Sequence, residues 1–503
     1  MRNSQLYPFT FSVIMPVYNV EQYVAESIDS VLKQSVGLNC IQIIIIDDGS
    51  TDKSGEICKQ YAEQYPNNIV FIKQANAGVS AARNTGIELA KGQYLTFLDP
   101  DDKWSADAFE HASTFFSQHP NIKILSFPMR YFEARTGNHP LNYKHKTTRV
   151  IDLENEPDVV QLSMCDLFIA HDLLDNHFFD CSLHISEDML LLNSILLDQR
   201  FMGVSDQGCY WYRKRVEGGS ALNLIRRARE WYITTPKRVY EKLFFLSQQK
   251  FGYVSLSIQY AVMYDLQWRL KSPIPDSLSE DEAVRYKKLV VSLLGRIEDT
   301  VISSQRNLNI RHLLYVYSLK YNVPLRELIS SLSIEKGLLI APIASDGKDN
   351  KILIRSIREL SSYIIIKHIE YADKTLIISG TVATLSADLE EKLKIHLSTN
   401  MNNVSIQYTP ESSSTIQTPF DGRILPSLGF VAHIPWVKRH ELCIRGEIEI
   451  CKFRIKARMK FANELHFRCM SSGVFIKHDN LLICHELDKR QSVLKIKKRL
   501  FCN

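Results

Sequence analysis

Ten cysteines are scattered through the 503 residues without a single Cys-x-x-Cys pair. That spacing excludes a zinc ribbon and a dense disulfide framework, and it fits reduced thiols in a cytoplasmic chain. No apolar run approaches the ~20 residues of a bilayer-spanning helix. The first residues, Met1 to Pro8, carry no apolar signal core, so the expected compartment is the cytoplasm. Three nucleotide or hydrolase signatures are also missing. There is no Gly-x-Gly-x-x-Gly after the first strand, no Gly-x-x-x-x-Gly-Lys-Ser/Thr, and no Gly-x-Ser-x-Gly. A net charge of +5 on this length is too mild for a dedicated nucleic-acid binder. With 45% hydrophobic and 23% charged residues, the chain has a globular composition and the length for two or three domains.

What is present begins with alternating strands and helices. Phe11–Met15 is a short apolar run closed by Pro16, and Tyr23, Val24, Ile28, Val31 and Leu32 then recur at helical spacing, with Asn19 as the expected N-cap. Ile41 to Ile46 holds four consecutive isoleucines, as a strand covered on both faces does. Further strands are predicted at Ile69–Ile72 and Tyr94–Leu98, with helices between them. The alternation points to an open, largely parallel α/β sheet. Tyr18 and Asn19, Asp47 and Asp48, Asn76, and Asp99 to Asp102 each follow the carboxyl end of a strand. That edge is where open α/β sheets bind ligands. Asp99, Asp101 and Asp102 crowd three carboxylates into four positions, which calls for a cation among them. A divalent ion carrying a phosphorylated ligand meets that need. Asp47 and Asp52 are expected to buttress turns, and Asp102 to cap a helix starting near Trp104.

Four segments carry a family resemblance: Pro16-Val17-Tyr18-Asn19, Asp47 to Asp52, Asn76 to Asn84, and Phe97 to Asp102. In order and spacing they resemble family 2 glycosyltransferases over roughly the first 220 residues. The resemblance implies a GT-A fold, a nucleotide-sugar donor (most simply a UDP-sugar), an inverting mechanism and Mn²⁺ or Mg²⁺. It also implies roles. Pro16, Tyr18 and Asn19 belong to the donor-side motif, and Asp48 accepts a hydrogen bond from the pyrimidine. Asn76 and Arg83 lie near the base and phosphates. Asp101 touches the metal, and Asp99 touches ribose or a metal-bound water. Downstream, Glu187-Asp188 resembles the family's acidic pair, with Asp188 as general base and Glu187 as neighbour or acceptor contact; alone, the pair would read as a helix N-terminus. Tyr210 to Arg215 followed by Ser220 resembles an arginine-bearing lid, with Arg213, Arg215 and Ser220 facing the diphosphate.

The expected organisation is a GT-A domain over residues 1–223, a helical linker over 224–340, a β-rich, sandwich-like domain over 350–480 and a basic tail over 481–503. For the β domain, acceptor binding, homo-oligomerisation and a purely structural role stay open. In the tail, Lys489, Arg490, Lys495, Lys497, Lys498 and Arg499 alternate with apolar residues; peripheral contact with the inner face of the membrane and a solvated basic end are equally open. The resemblance points to a hexosyl- or N-acetylhexosaminyl-transferase acting on a bacterial surface glycan or lipid-linked acceptor. The rivals are a catalytically silent glycan-binding protein and a sugar-nucleotide nucleotidyltransferase, the latter disfavoured by the missing Gly-rich phosphate loop.

Overall fold

In the computed structural model, residues 7–216, 228–272, 274–275, 277–336 and 338–345, and strand segments between 348 and 498, are described. The chain divides into two compact units, Met1–Asp265 with Pro275–Arg296, and Leu266–Ile274 with Ile297–Asn503. The helical stretch after the first unit's sheets is therefore shared between the two units.

The first unit is built on β1 (Phe9–Val17), α1 (Val24–Leu32), β2 (Ile41–Asp47), α2 (Ser54–Gln64), β3 (Ile69–Lys73), α3 (Val79–Leu89) and β4 (Gly92–Phe97). After β5 (Lys103–Trp104) come α4 (Ala108–Gln118), β6 (Ile124–Ser126), β7 (Met129–Glu133), β8 (Gly137–Asn138), β9 (Arg149–Asp152) and β10 (Leu167–Ala170). Helix α5 (Glu187–Asp198), β11 (Phe201–Val204) and β12 (Tyr210–Lys214) follow. The main sheet has eight strands in the order β3-β2-β1-β4-β10-β6-β11-β9. Its β3-β2-β1-β4 half is parallel. From β4 onward β10 runs antiparallel to both its neighbours, so the whole is mixed where a largely parallel sheet was expected. A small second sheet, β5-β12-β7-β8, stands beside it.

Every residue of β2 is buried, as its isoleucine run required. The run also contains Gln42, whose Oε1 accepts from Ser12 Oγ at 2.6 Å and from the Lys91 backbone at 2.8 Å. Those bonds satisfy a polar side chain that would otherwise be costly inside the sheet. Helix α1 buries Val24, Ile28 and Val31. Asn19 does not cap it: Tyr23 holds the N-cap position, and Asn19 spends its side chain on the neighbouring loop.

In the second unit, the end of the helix Leu256–Leu270 and the helices Asp299–Ser303, Ile310–Tyr321 and Leu325–Ser331 come first, and the described elements from Ser333 onward are strands. Three strands, Ser333–Glu335, Leu338–Ser345 and Lys348–Ser356, form one sheet. A five-stranded sheet is centred on Thr375–Ser386, and a seven-stranded sheet includes Leu442–Ile450. The segment read as a basic tail is in part sheet. Gln491–Lys498 pairs antiparallel with Leu481–Asp488 and with Leu442–Arg445, while Lys489, Arg490 and Arg499 lie outside the described residues. Among the described residues no helix is long and apolar enough to cross a membrane.

Gly92 opens β4 where a Cβ would stand 2.4 Å from the Ser12 backbone nitrogen and 2.5 Å from the Phe11 carbonyl carbon. Backbone cannot yield as a side-chain tip can. Gly92→Ala is expected to cost about 1–3 kcal/mol of overpacking, seen as a lower thermal midpoint. An unchanged midpoint would mean that β1 and β4 separate freely at this point.

Candidate active site

The loops at the carboxyl ends of β1, β2 and β3 are tied together by side-chain-to-backbone bonds. Asp48, buried at the end of β2, accepts from Gln74 Nε2 at 2.8 Å and Ala77 N at 3.0 Å on Oδ1, and from Gly78 N at 2.8 Å on Oδ2. The loop after β3 thus hangs on one carboxylate. Asn19 sits at φ 50°, a left-handed conformation that asparagine tolerates, and its Oδ1 accepts from Thr51 N at 2.9 Å. Asp47 accepts from Ser50 N at 2.8 Å, and Asp52 from Ser54 N at 2.9 Å and Glu21 N at 3.1 Å, the turn-buttressing work expected of both. Pro16 is buried within β1, whereas Tyr18 and Asn76 are exposed on the rim. The rim thus presents an aromatic ring and an amide above a loop scaffold that is already hydrogen-bonded.

Deeper in the site lies Arg83 of α3, only 4% exposed. Its Nη1 donates to Glu187 Oε1 at 3.0 Å and to Asp188 Oδ1 at 2.7 Å, and its Nη2 to Asp99 Oδ1 at 3.1 Å. The acids keep this guanidinium charged well above its ordinary range despite burial. Burial pushes the Asp188 carboxyl up to about 7; the Arg83 charge pulls it down, while Glu187 and Asp99 add to the rise. Asp188 Oδ2 accepts from Met164 N at 3.3 Å. Both acids open α5 directly after Ser186, which sits at φ 64°. A cleft of about 190 Å³ adjoins them, lined by Leu162, Ser186, Glu187, Asp188, Met189 and Asp265.

The acid knot resolves into three different environments. Asp99 meets Arg83. Asp101 Oδ2 accepts from Arg215 Nε at 3.0 Å and Nη2 at 2.6 Å, yet burial and the neighbouring Asp99 charge still raise its carboxyl. Asp102 is buried, accepting from Tyr210 Oη at 2.9 Å and from Arg213 N at 2.7 Å, and burial lifts it far above the usual carboxylate range. It caps no helix, because 103–104 is a strand and α4 starts five residues beyond Lys103 with Asp107 at its N-cap. Arg213 also differs from expectation. It lies within β12, and its guanidinium is taken by Glu26, Glu133 and the Asp101 carbonyl, with Tyr23 and Phe132 rings against it. A lid arginine needs a free guanidinium, and Arg213 has none to offer. Ser220 lies outside the described residues. Glu26, Glu133, Tyr210 and the Met164 backbone were not foreseen; no spacing in the sequence links them to the acids they serve.

Two outcomes are expected. Asp102→Ala strands the Tyr210 hydroxyl and the Arg213 N–H, each unmet buried partner costing about 1–3 kcal/mol. Chemical denaturation should show that loss, and a midpoint within error of wild type would contradict it. For Asp188 the folded value lies above the unfolded one, so the native state holds a proton that the unfolded chain has released between pH 4 and about 7. Stability relative to Asp188→Asn should therefore fall as pH rises through that window. A difference that is flat from pH 4 to 7 would contradict it.

Residues 12–170 match Glycosyl transferase family 2. The chain is 38% identical over 322 residues to the minor teichoic acid biosynthesis protein GgaB of Bacillus subtilis, an alignment covering 63% of this chain and 36% of that protein. It thus spans little more than a third of that relative's length. Among solved structures, S. aureus TarS superposes with a TM-score of 0.55 at 15% identity, over 98% of this chain and 86% of that one. TarS 1–349 in complex with UDP-GlcNAc superposes with a TM-score of 0.50 at 20% identity, over 68% of this chain and 99% of that one. At such identities these structures speak for the fold. The mixed sheet with loops gathered on its rim agrees with that sequence match, which assigns residues 12–170 of this chain to a glycosyl transferase family 2 domain.

Proposed function

We propose that the chain is an inverting, divalent-metal-dependent glycosyltransferase. It moves a sugar from a UDP-sugar to a hydroxyl of a growing bacterial surface glycan or lipid-linked acceptor of the teichoic-acid type. The observation that carries the proposal is the meeting of Asp99, Asp188 and Glu187 on one arginine, below a rim formed by the loops after β1, β2 and β3. The donor class is supported by the TarS fragment, whose complex holds UDP-GlcNAc. The acceptor class is supported by the likeness to GgaB, a minor teichoic acid biosynthesis protein.

Each residue then has a task. Tyr18 and Asn76 face the nucleotide from the exposed rim, while Asp48 and Asn19 hold the loops around it. Arg215 is held on Asp101 through Nε and Nη2 but stays partly exposed, and it offers its remaining edge to the diphosphate. Asp188 receives the proton of the acceptor hydroxyl as that oxygen attacks the anomeric carbon, and the bond to the UDP oxygen breaks on the opposite face. A base that titrates near neutrality is well matched to this step. Glu187 and the adjoining cleft receive the acceptor.

A divalent cation fits the acid knot. Arg215 holds Oδ2 of Asp101 and Arg83 holds Oδ1 of Asp99, which leaves the second oxygen of each carboxylate for a hard cation. Among the described residues no three His, Cys, Asp or Glu side chains are arranged to hold a metal ion by themselves, so donor phosphates and waters would complete the shell, as is usual for Mg²⁺. When bound, the ion offsets the charge of the departing diphosphate.

Thermal unfolding of the full chain tests this proposal. UDP at a hundredfold excess over its Kd, with Mn²⁺, is expected to add about 2.7 kcal/mol, and Asp101→Asn to remove the metal-dependent part. Stabilisation identical with Mn²⁺ and with EDTA would refute metal dependence, and none with any nucleoside diphosphate would refute the donor site.

A further inference from the structure

We propose that Arg83 is a positioning residue that aims Asp188 at the acceptor and does not contact the donor nucleotide; this rests on the glycosyltransferase reading above. Three observations carry it. First, both terminal nitrogens of the guanidinium are engaged by Glu187, Asp188 and Asp99, and the Phe179 ring lies 5.2 Å from its carbon. The remaining N–H, on Nε, has no partner among the described residues but is itself buried, so no exposed edge is left for a phosphate or a pyrimidine. Second, the adjacent residue repeats the grip. Asn84 Nδ2 donates to the Phe179 carbonyl and Asn84 Oδ1 accepts from Phe179 N, both at 2.9 Å. Two consecutive residues of α3 thus clasp the segment that leads into α5, one through side chains and one through backbone. Third, α5 does not orient itself. Its N-cap, Ser186, makes no side-chain capping bond and sits at φ 64°, so the direction of the first turn depends on outside contacts.

Asp188 is then held from two sides, Oδ1 by Arg83 and Oδ2 by the Met164 N–H. A carboxylate gripped at both oxygens keeps one orientation, which is what a base needs to meet a hydroxyl at hydrogen-bond distance. The groups facing it are Arg83 from α3, Glu187 from its own helix and Asp99 from the loop after β4. Arg83 is the cation among them, and it also ties the donor-side acid to the base across the reaction centre.

The test compares wild type with Arg83→Lys, Arg83→Gln and Asn84→Ala in the full chain. Arg83→Gln is expected to lower kcat by ~100-fold or more, within the range that a positioned base supplies. The KM for the donor and the Kd for UDP with Mn²⁺ should stay within about threefold of wild type, because no nucleotide contact is lost. The acid limb of its pH–rate profile should move to higher pH, since removing a cation favours the protonated acid, and Arg83→Lys should restore part of both effects. Asn84→Ala leaves every charge in place; it is expected to lower kcat with UDP affinity unchanged, and so carries the test if the arginine variants fail to fold. Loss of UDP affinity in a folded Arg83 variant, with wild type binding normally, overturns the positioning role. So does an unchanged kcat in Asn84→Ala together with an unshifted profile in Arg83→Lys. Failure of wild type itself to bind UDP would instead refute the donor site on which the inference rests.

Discussion

Five carboxylates share one end of this sheet, and three arginines keep them there. Two like charges 4 Å apart repel by about 4 kcal/mol at the effective dielectric of a protein surface, and more where water is excluded. Asp99, Asp101, Asp102, Glu187 and Asp188 could not stay folded together unaided. Arg83 gathers three of them, Arg215 takes one oxygen of Asp101, and the Arg213 backbone with Tyr210 satisfies Asp102. Even so, the carboxyls of Asp101, Asp102 and Asp188 remain raised. Burial is the first cause in each case and the neighbouring carboxylates add to it, so a cation beside Asp101 would relieve the crowding and Asp188 is suited to accept a proton.

The fold makes that arrangement affordable by fixing the backbone first. The β3-β2-β1-β4 half delivers its loops to one edge, and Asp48, Asn19, Asp47 and Asp52 lace them with bonds to backbone N–H groups. These bonds leave the exposed rim, with Tyr18 and Asn76, standing on rigid support. The reversal of direction at β10 then leads into the chain that carries Phe179 and α5, which lies across from α3. Acids from residues 99 and 188 meet in space because the sheet is mixed.

How much of this was legible depended on the range of each interaction. The isoleucine run of β2 and the alternation of strands and helices are local patterns, and they stood out. So did the polar residues at strand ends, because each lies next to the strand that positions it. Asp102 and Asn19 were misread for the same reason. Local rules offered each a helix to cap, while their actual partners lie 108 and 32 residues away, at Tyr210 and Thr51. Arg213 was read as a lid residue from its neighbours in sequence, yet Glu26 and Glu133 decide its place, and nothing in the order of residues joins those three. The basic segment after residue 490 resembled a tail because lysines alternate with apolar residues, which is also the pattern of a strand with one polar face.

Diffraction from crystals of the full chain grown with UDP and Mn²⁺, recorded at the manganese edge, tests the central claim most directly. The expected result is a single anomalous peak bonded to Asp101 and to the diphosphate, with the uracil against the rim of Tyr18 and Asn76 and Arg83 still on Glu187, Asp188 and Asp99. A manganese peak remote from Asp99 and Asp101, or a nucleotide bound away from that rim, would contradict it.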